Sequence, residues 1–280
     1  MRNISTDEVI KNIREMCIEA NHFLSPDMKK VFEKAADEET SSLGRQILGQ
    51  LKENLEIAGS DMIPICQDTG MAVVFISVGQ EVHIEGGSLT EAINEGVRQG
   101  YVDGYLRKSV VKDPIERENT KDNTPAVIHY DIVPGDKIDI TIAPKGFGSE
   151  NMSRVFMLKP ADGIEGVKEA ILKAVKDAGP NACPPMVVGV GIGGTFDKCA
   201  LLAKKALMRP LDSHNPDPFY ADLEDEMLEK INSLGIGPGG LGGTKTALAV
   251  NVETYPTHIA GLPVAVNICC HVNRHVHRVI

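Results

Sequence analysis

From residue 61 onward the sequence leaves helical spacing for short apolar runs separated by glycine, and this switch limits the fold more than any other feature. The runs 71–78, 186–192, 246–252 and 262–268 have the length of strands rather than helices. Before the switch, Val9, Ile13, Met16, Cys17 and Ala20 recur at helical spacing behind Ser5 and Thr6, and Leu43, Ile47, Leu48, Leu51 and Leu55 repeat the pattern. Residues 1–60 therefore read as a helical segment. Residues 126–133 and 137–143 flank Pro134-Gly135-Asp136, which predicts an antiparallel hairpin. The run 186–192 passes through Gly193-Gly194-Thr195 into a helical stretch, 196–208, and further helices are expected at 89–106, 163–178 and 220–234. Hairpins mixed with strand-to-helix units predict an α/β (mixed α+β) fold of layered sheets and flanking helices. We expect one domain, 1–280, in which 61–280 form the α/β core.

The chain has no Trp and 4% aromatic residues, so its core must be built from Val, Ile, Leu, Ala and Met. A net charge of −10 opposes nucleic-acid binding, which needs a basic face to displace counterions. A small dianion can still bind where a few arginines outweigh the distant surface. Residues 1–10 lack the basic start and apolar stretch of a signal peptide, and no run approaches the ~18 apolar residues of a membrane span. A cytoplasmic protein is expected. A chain this long has little need of disulfides, so its six cysteines read as free or metal-bound thiols.

Three of those cysteines sit in punctuation. Cys66 lies in Ile63-Pro64-Ile65-Cys66-Gln67-Asp68-Thr69-Gly70, Cys183 in Asn181-Ala182-Cys183-Pro184-Pro185, and Cys270 in Cys269-Cys270-His271. Cys17 and Cys199 instead fall on helical stripes and read as core. Three thiols at loop edges suggest one 4Fe-4S cluster, whose fourth iron stays open as a Lewis acid for a hydroxyl and a carboxylate. A fourth cysteine ligand would describe a redox module or a non-catalytic scaffold instead. Zinc is a poorer match, because Cys269, Cys270, His271, His275 and His277 include no Cys-x-x-Cys. Gly189-Val190-Gly191-Ile192-Gly193-Gly194 has the dinucleotide spacing but no acidic residue ending a second strand about 20 residues on. The glycine tract 235–245 fails as a P-loop at Thr244. His22 and His129 read as structural.

An ordered set of motifs goes further. Cys66-Gln67-Asp68-Thr69-Gly70, Arg117-Glu118-Asn119-Thr120, Lys145-Gly146-Phe147-Gly148-Ser149-Glu150-Asn151, Ala182-Cys183-Pro184-Pro185, Gly193-Gly194-Thr195 and Cys270-His271-Val272-Asn273-Arg274-His275 closely resemble the alpha subunit of class I fumarate hydratase and L-tartrate dehydratase. The resemblance covers essentially the whole chain. It implies a 4Fe-4S hydro-lyase of the tricarboxylic acid cycle type, hydrating fumarate to L-malate, with L-tartrate dehydration as the alternative. It implies Cys66, Cys183 and Cys270 as cluster ligands, Cys269 being the neighbour that does not precede the histidine. By the same matching, Asp68 and His258 become the proton-transfer candidates, and Gln67, Arg107 and Gly148 the substrate contacts. Arg117 rivals Arg107 for the carboxylate, where a planar fork of donors suits two oxygens. The resemblance further implies a separate beta subunit that completes the pocket, in a two-fold assembly of alpha and beta chains.

Overall fold

A computed structural model describes residues 1–280. In chain order its elements are β1 (Arg2–Ser5), α1 (Thr6–His22), α2 (Pro26–Glu38), α3 (Ser42–Asp61), β2 (Met71–Gly79), β3 (Val82–Glu85), α4 (Leu89–Asp103), β4 (Val127–Val133) and β5 (Ile138–Lys145). The second half adds α5 (Phe147–Glu150), β6 (Arg154–Leu158), α6 (Gly163–Ala178), β7 (Met186–Gly193), α7 (Phe196–Ala206), α8 (Pro218–Asn232), β8 (Ala247–Tyr255), β9 (Leu262–Cys269) and β10 (Val276–Val279). The fold is mixed α/β. The chain forms two compact units, one from residues 1–25, 54–147 and 274–280, the other from 26–53 and 148–273. The first unit takes in residues 274–280 because β10 lies antiparallel to β5.

The first unit holds a four-stranded sheet ordered β10-β5-β2-β4 and the parallel pair β1 and β3. The predicted hairpin does not form, since β2 lies between its two strands, antiparallel to β5 and parallel to β4. Burial explains the arrangement. β2 buries Ala72, Val73, Val74 and Ile76, whereas β4 is largely exposed and suits an edge. The turn after β4 closes over the end of β2, where the Gly79 amide donates to Lys137 O (2.9 Å) and the Gln80 amide to Val133 O (2.8 Å). Helices α1 and α4 pack closely because a Cβ on Gly96 would stand 2.6 Å from Ile13 Cβ, and one on Gly100 2.8 Å from Cys17 Cβ. Ile13, Met16, Cys17, Val74, Ile93, Tyr101 and Ile140 belong to the resulting core. Cys17 is the core residue its stripe predicted, and burial pushes its thiol up to about 12.

The second unit holds a sheet ordered β6-β9-β7-β8, with β8 parallel to β7 and β9 antiparallel to β6 and β7. Val188, Val190 and Ile192 of β7 join Ile171, Met227 and Val252 in its core. The alternate residues meet α7: a Cβ on Gly189 would fall 2.1 Å from Ala203 O, and one on Gly191 2.0 Å from Cys199 O. These two glycines thus serve close helix–strand packing. The glycine tract after α8 surrounds a carboxylate. Glu39, 1% exposed, accepts the amides of Ser41 (2.8 Å), Thr244 (2.9 Å) and Lys245 (2.8 Å) and the Thr244 hydroxyl (3.1 Å). Burial alone would raise its pKa, but these donors outweigh burial and leave it below the ordinary glutamate value. No helix is long and apolar enough to cross a membrane.

Candidate functional site

In the first unit the Cys66 turn hangs between fixed points. The Ile65 amide donates to Asn21 O (2.9 Å) and Ile65 O accepts from Asn54 Nδ2 (2.9 Å), so the buried Ile65 anchors the chain just before the half-buried Cys66. Gln67 is exposed and Asp68 half-buried. Asp68 Oδ1 accepts the Gly70 amide (3.0 Å) and Oδ2 the Phe147 amide (2.9 Å). Both carboxylate oxygens therefore face N–H donors. Gly146 fits beside it because a Cβ there would stand 3.1 Å from Oδ2.

Arg107 joins this turn through its backbone, its carbonyl accepting from the buried Thr69 hydroxyl at 3.0 Å, and its side chain is exposed. Arg117 has a left-handed backbone (φ 62°) and its guanidinium contacts only its own loop, at Pro114 O (3.5 Å). The loop is held both from within and from α4: the Asp122 carboxylate accepts from the Thr124 amide (3.0 Å) and from Arg98 Nε (3.0 Å), and despite burial its pKa sits at about 2.

In the second unit Cys183 and Cys270 come from segments bonded to each other. Cys183 O accepts both the His271 amide (3.3 Å) and His271 Nδ1–H (3.1 Å). Cys183 is exposed with a left-handed backbone (φ 51°), and the glycine tract supports its turn, the Gly239 amide donating to Pro184 O at 2.8 Å. Cys270 follows β9, and a hydrogen bond with Cys269 together with burial hold its thiol well above the ordinary range. Gly148 lies in the short helix α5, which is tied to the same end of β9. Asn267 Nδ2 donates to Glu150 Oε2 (2.9 Å) and to Ser153 Oγ (2.7 Å), and the Ile268 amide donates to Ser153 Oγ (3.1 Å). A Cβ on Gly148 would meet nothing within 4 Å, so its backbone borders open space.

His258 stands apart from the two cysteines. It lies in the exposed connection from β8 to β9, at the Gly193 end of β7, whereas Cys183 and Cys270 lie at the Met186 end. The length of β7 puts the two ends on the order of 20 Å apart. The Ala260 amide donates to His258 Nδ1 (3.2 Å), which leaves the proton on Nε2 in the neutral ring. The imidazole borders an apolar cavity of about 370 Å³ lined by Ile164, Ile192, Phe219 and Leu262 among others.

The cysteines sort as their contexts predicted. Cys17, Cys199 and Cys269 are buried, Cys66 and Cys270 are half-buried and Cys183 is exposed, and none is in a disulfide. No group of three or more His, Cys, Asp and Glu side chains stands ready for a single metal ion. A 4Fe-4S group takes one thiol per iron, so its ligands need not share one ion. Soft donors on turns suit such a group in their chemistry, as does a buried donor nearby in sequence. Arg274, four residues after Cys270 and 4% exposed, has an Nη1 that finds no acceptor. Its other nitrogens donate to Pro144 O (Nε, 3.2 Å) and Asp68 O (Nη2). Arg274 stands inside the motif Cys270-His271-Val272-Asn273-Arg274-His275 but carried no assigned role there, because a donor to main-chain carbonyls leaves no spacing signature.

The fold is mixed α/β, and three of its six cysteines lie on turns. The model of the fumarate hydratase (fumerase) family matches residues 10–279, and the chain belongs to that family. It is 44% identical over 275 residues to a Methanocaldococcus jannaschii protein named provisionally as L(+)-tartrate dehydratase subunit alpha, covering 96% of this chain and 95% of that one. It is also 35% identical over 242 residues to the L(+)-tartrate dehydratase subunit alpha of Escherichia coli strain UTI89, covering 85% of this chain and 79% of that one. The corresponding protein of Escherichia coli strain K12 is 34% identical over the same length.

Proposed function

We propose that this chain is the alpha subunit of a cytoplasmic 4Fe-4S hydro-lyase acting on a four-carbon dicarboxylate, and that a beta subunit completes its pocket. The observation that carries the reading is the sorting of the cysteines: Cys66, Cys183 and Cys270 lie on turns, whereas Cys17 and Cys199 lie buried on helical stripes. Cys66, Cys183 and Cys270 would hold the cluster. When bound, it supplies a Lewis-acidic iron that polarises the substrate hydroxyl.

The chain's own residues do the rest. Arg107, fixed through Thr69 beside Asp68, offers a planar fork to one carboxylate. The open backbone at Gly148 gives the substrate room, and the exposed Gln67 offers an amide. Asp68 accepts the proton from the carbon next to the hydroxyl-bearing one, each of its oxygens keeping a free lone pair beside its amide bond. His258, at the far end of β7, takes part only if a second chain presents it to the site.

Fumarate hydration is the reading from the motifs. L-tartrate dehydration is the second reading, favoured by the names of the relatives at 34–44% identity. The test is iron and acid-labile sulfide on anaerobically reconstituted protein, followed by kcat/KM for both substrates with the beta chain added. About four irons per chain are expected, lost in Cys66→Ser, Cys183→Ser and Cys270→Ser and kept in Cys17→Ser, Cys199→Ser and Cys269→Ser. Iron loss in any of the latter three, or a fourth essential cysteine, would overturn the ligand set. The larger kcat/KM decides the substrate.

A further inference from the structure

Three consecutive carbonyls of the Cys66 turn are each held by a buried side chain. Asp68 O accepts from Arg274 Nη2, Thr69 O from the Tyr101 hydroxyl (2.7 Å), and Gly70 O from Asn123 Nδ2 (3.1 Å) and the same hydroxyl (3.1 Å). Tyr101 and Asn123 are fully buried and Arg274 is 4% exposed. The three come from α4, from the loop after it and from the segment leading into β10, so the turn is gripped from three separate parts of the chain. Each donor is fixed in turn. Asn123 Oδ1 accepts the Ser109 (2.7 Å) and Val110 (3.2 Å) amides, and Arg274 Nε reaches Pro144 O (3.2 Å), close before the loop whose Phe147 amide meets Asp68.

Main-chain hydrogen bonding alone does not require this. A polar turn can satisfy its carbonyls with water, whereas here a guanidinium, a phenol and an amide are taken out of solvent to hold them, and one guanidinium nitrogen stays unpaired. Local costs of this kind concentrate where geometry matters for function. The carbonyl clamp fixes the peptide plane that follows the Asp68 Cα and the two planes after it, and so limits where the Asp68 carboxylate points.

We propose that Tyr101, Asn123 and Arg274 are positioning residues that act through Asp68, setting its carboxylate against the Gly70 and Phe147 amides in the geometry used for proton transfer. This rests on the reading of Asp68 given above. Tyr101→Phe keeps the ring in the core and removes the hydroxyl; Arg274→Lys keeps the charge and removes the fork.

The alpha chain with its beta partner, loaded anaerobically, is measured as Tyr101→Phe, Arg274→Lys, Asp68→Asn and the two doubles with Asp68→Asn. Each single clamp variant is expected to lower kcat about tenfold with KM changed less than about threefold, and to cost nothing further in the Asp68→Asn background. Hydrogen exchange is expected to quicken in peptides spanning 66–71 and 146–149 and to stay unchanged in the middle of β2 and β5. Additive losses in the doubles, or unchanged exchange at 66–71 and 146–149 in both variants, would overturn the proposal. Exchange needs no turnover, so a wrong substrate assignment leaves that arm able to decide. If Arg274→Lys does not fold, Tyr101→Phe carries both arms.

Discussion

Arg107 and Arg117 show how little a side chain's identity says about its use until its backbone is placed. Both are exposed arginines of one loop, but only Arg107 is bonded to the turn that carries Asp68. Arg107→Met is therefore expected to raise KM for the dicarboxylate about tenfold or more, while Arg117→Met changes it less than about twofold. Steady-state kinetics on the two variants checks this, and the reverse order would move the carboxylate grip to Arg117. At this scale the sequence was most legible for the cysteines, because a thiol on a helical stripe and a thiol in a proline-flanked turn differ in local pattern. It was silent on Tyr101 and Asn123, and it placed Arg274 in a motif without showing its task. Their task is to donate to carbonyls, and any carbonyl looks like any other in a sequence.

Among the elements, the glycine tract between α8 and β8 depends on one residue beyond the end of α2. The Glu39 carboxylate binds Thr244 and Lys245 only as an anion, and its pKa is below that of an unfolded glutamate. Its contribution is thus fully present above the unfolded value, near 4.3, and is lost as pH falls through the folded one. Glu39→Gln is expected to cost about 1–3 kcal/mol at pH 7. Urea unfolding of both proteins should show that gap closing below about pH 4; a gap independent of pH would mean that packing rather than charge holds the tract. The same tract looked like a phosphate loop in sequence because backbone amides serve either anion. β2, β7, β8 and β9 were legible as apolar runs. The hairpin of β4 and β5 was misread because a turn signal is local, and nothing near Pro134 announces that β2 will insert between the strands. β1, β6 and β10 span only four or five residues each, too few for alternation to stand out.

Taken whole, the molecule is two units threaded from interleaved segments, and residues 274–280 belong to the first. They supply β10 on β5, the paired bonds between Ile138 and Ile280, the ion pairs of Arg278 with Glu15 (2.7 Å) and Glu19 (2.9 Å), and the Arg274 grip. Cutting the chain after Asn273 is expected to leave the first unit open. Limited trypsin digestion should then cleave within 1–25 and 54–147 at least about tenfold faster, with 148–273 attacked at its former rate. Equal rates in both regions would show that the last strand is dispensable. The interleaving also bears on how the protein is made. A ribosome emits residues 54–147 long before 274–280, and the intervening 148–273 take on the order of ten seconds at ~5–20 residues per second. Throughout that interval one edge of β5 has no strand beside it, so the nascent chain carries an exposed sheet edge that chaperones, or a neighbouring nascent chain on the same message, could occupy first.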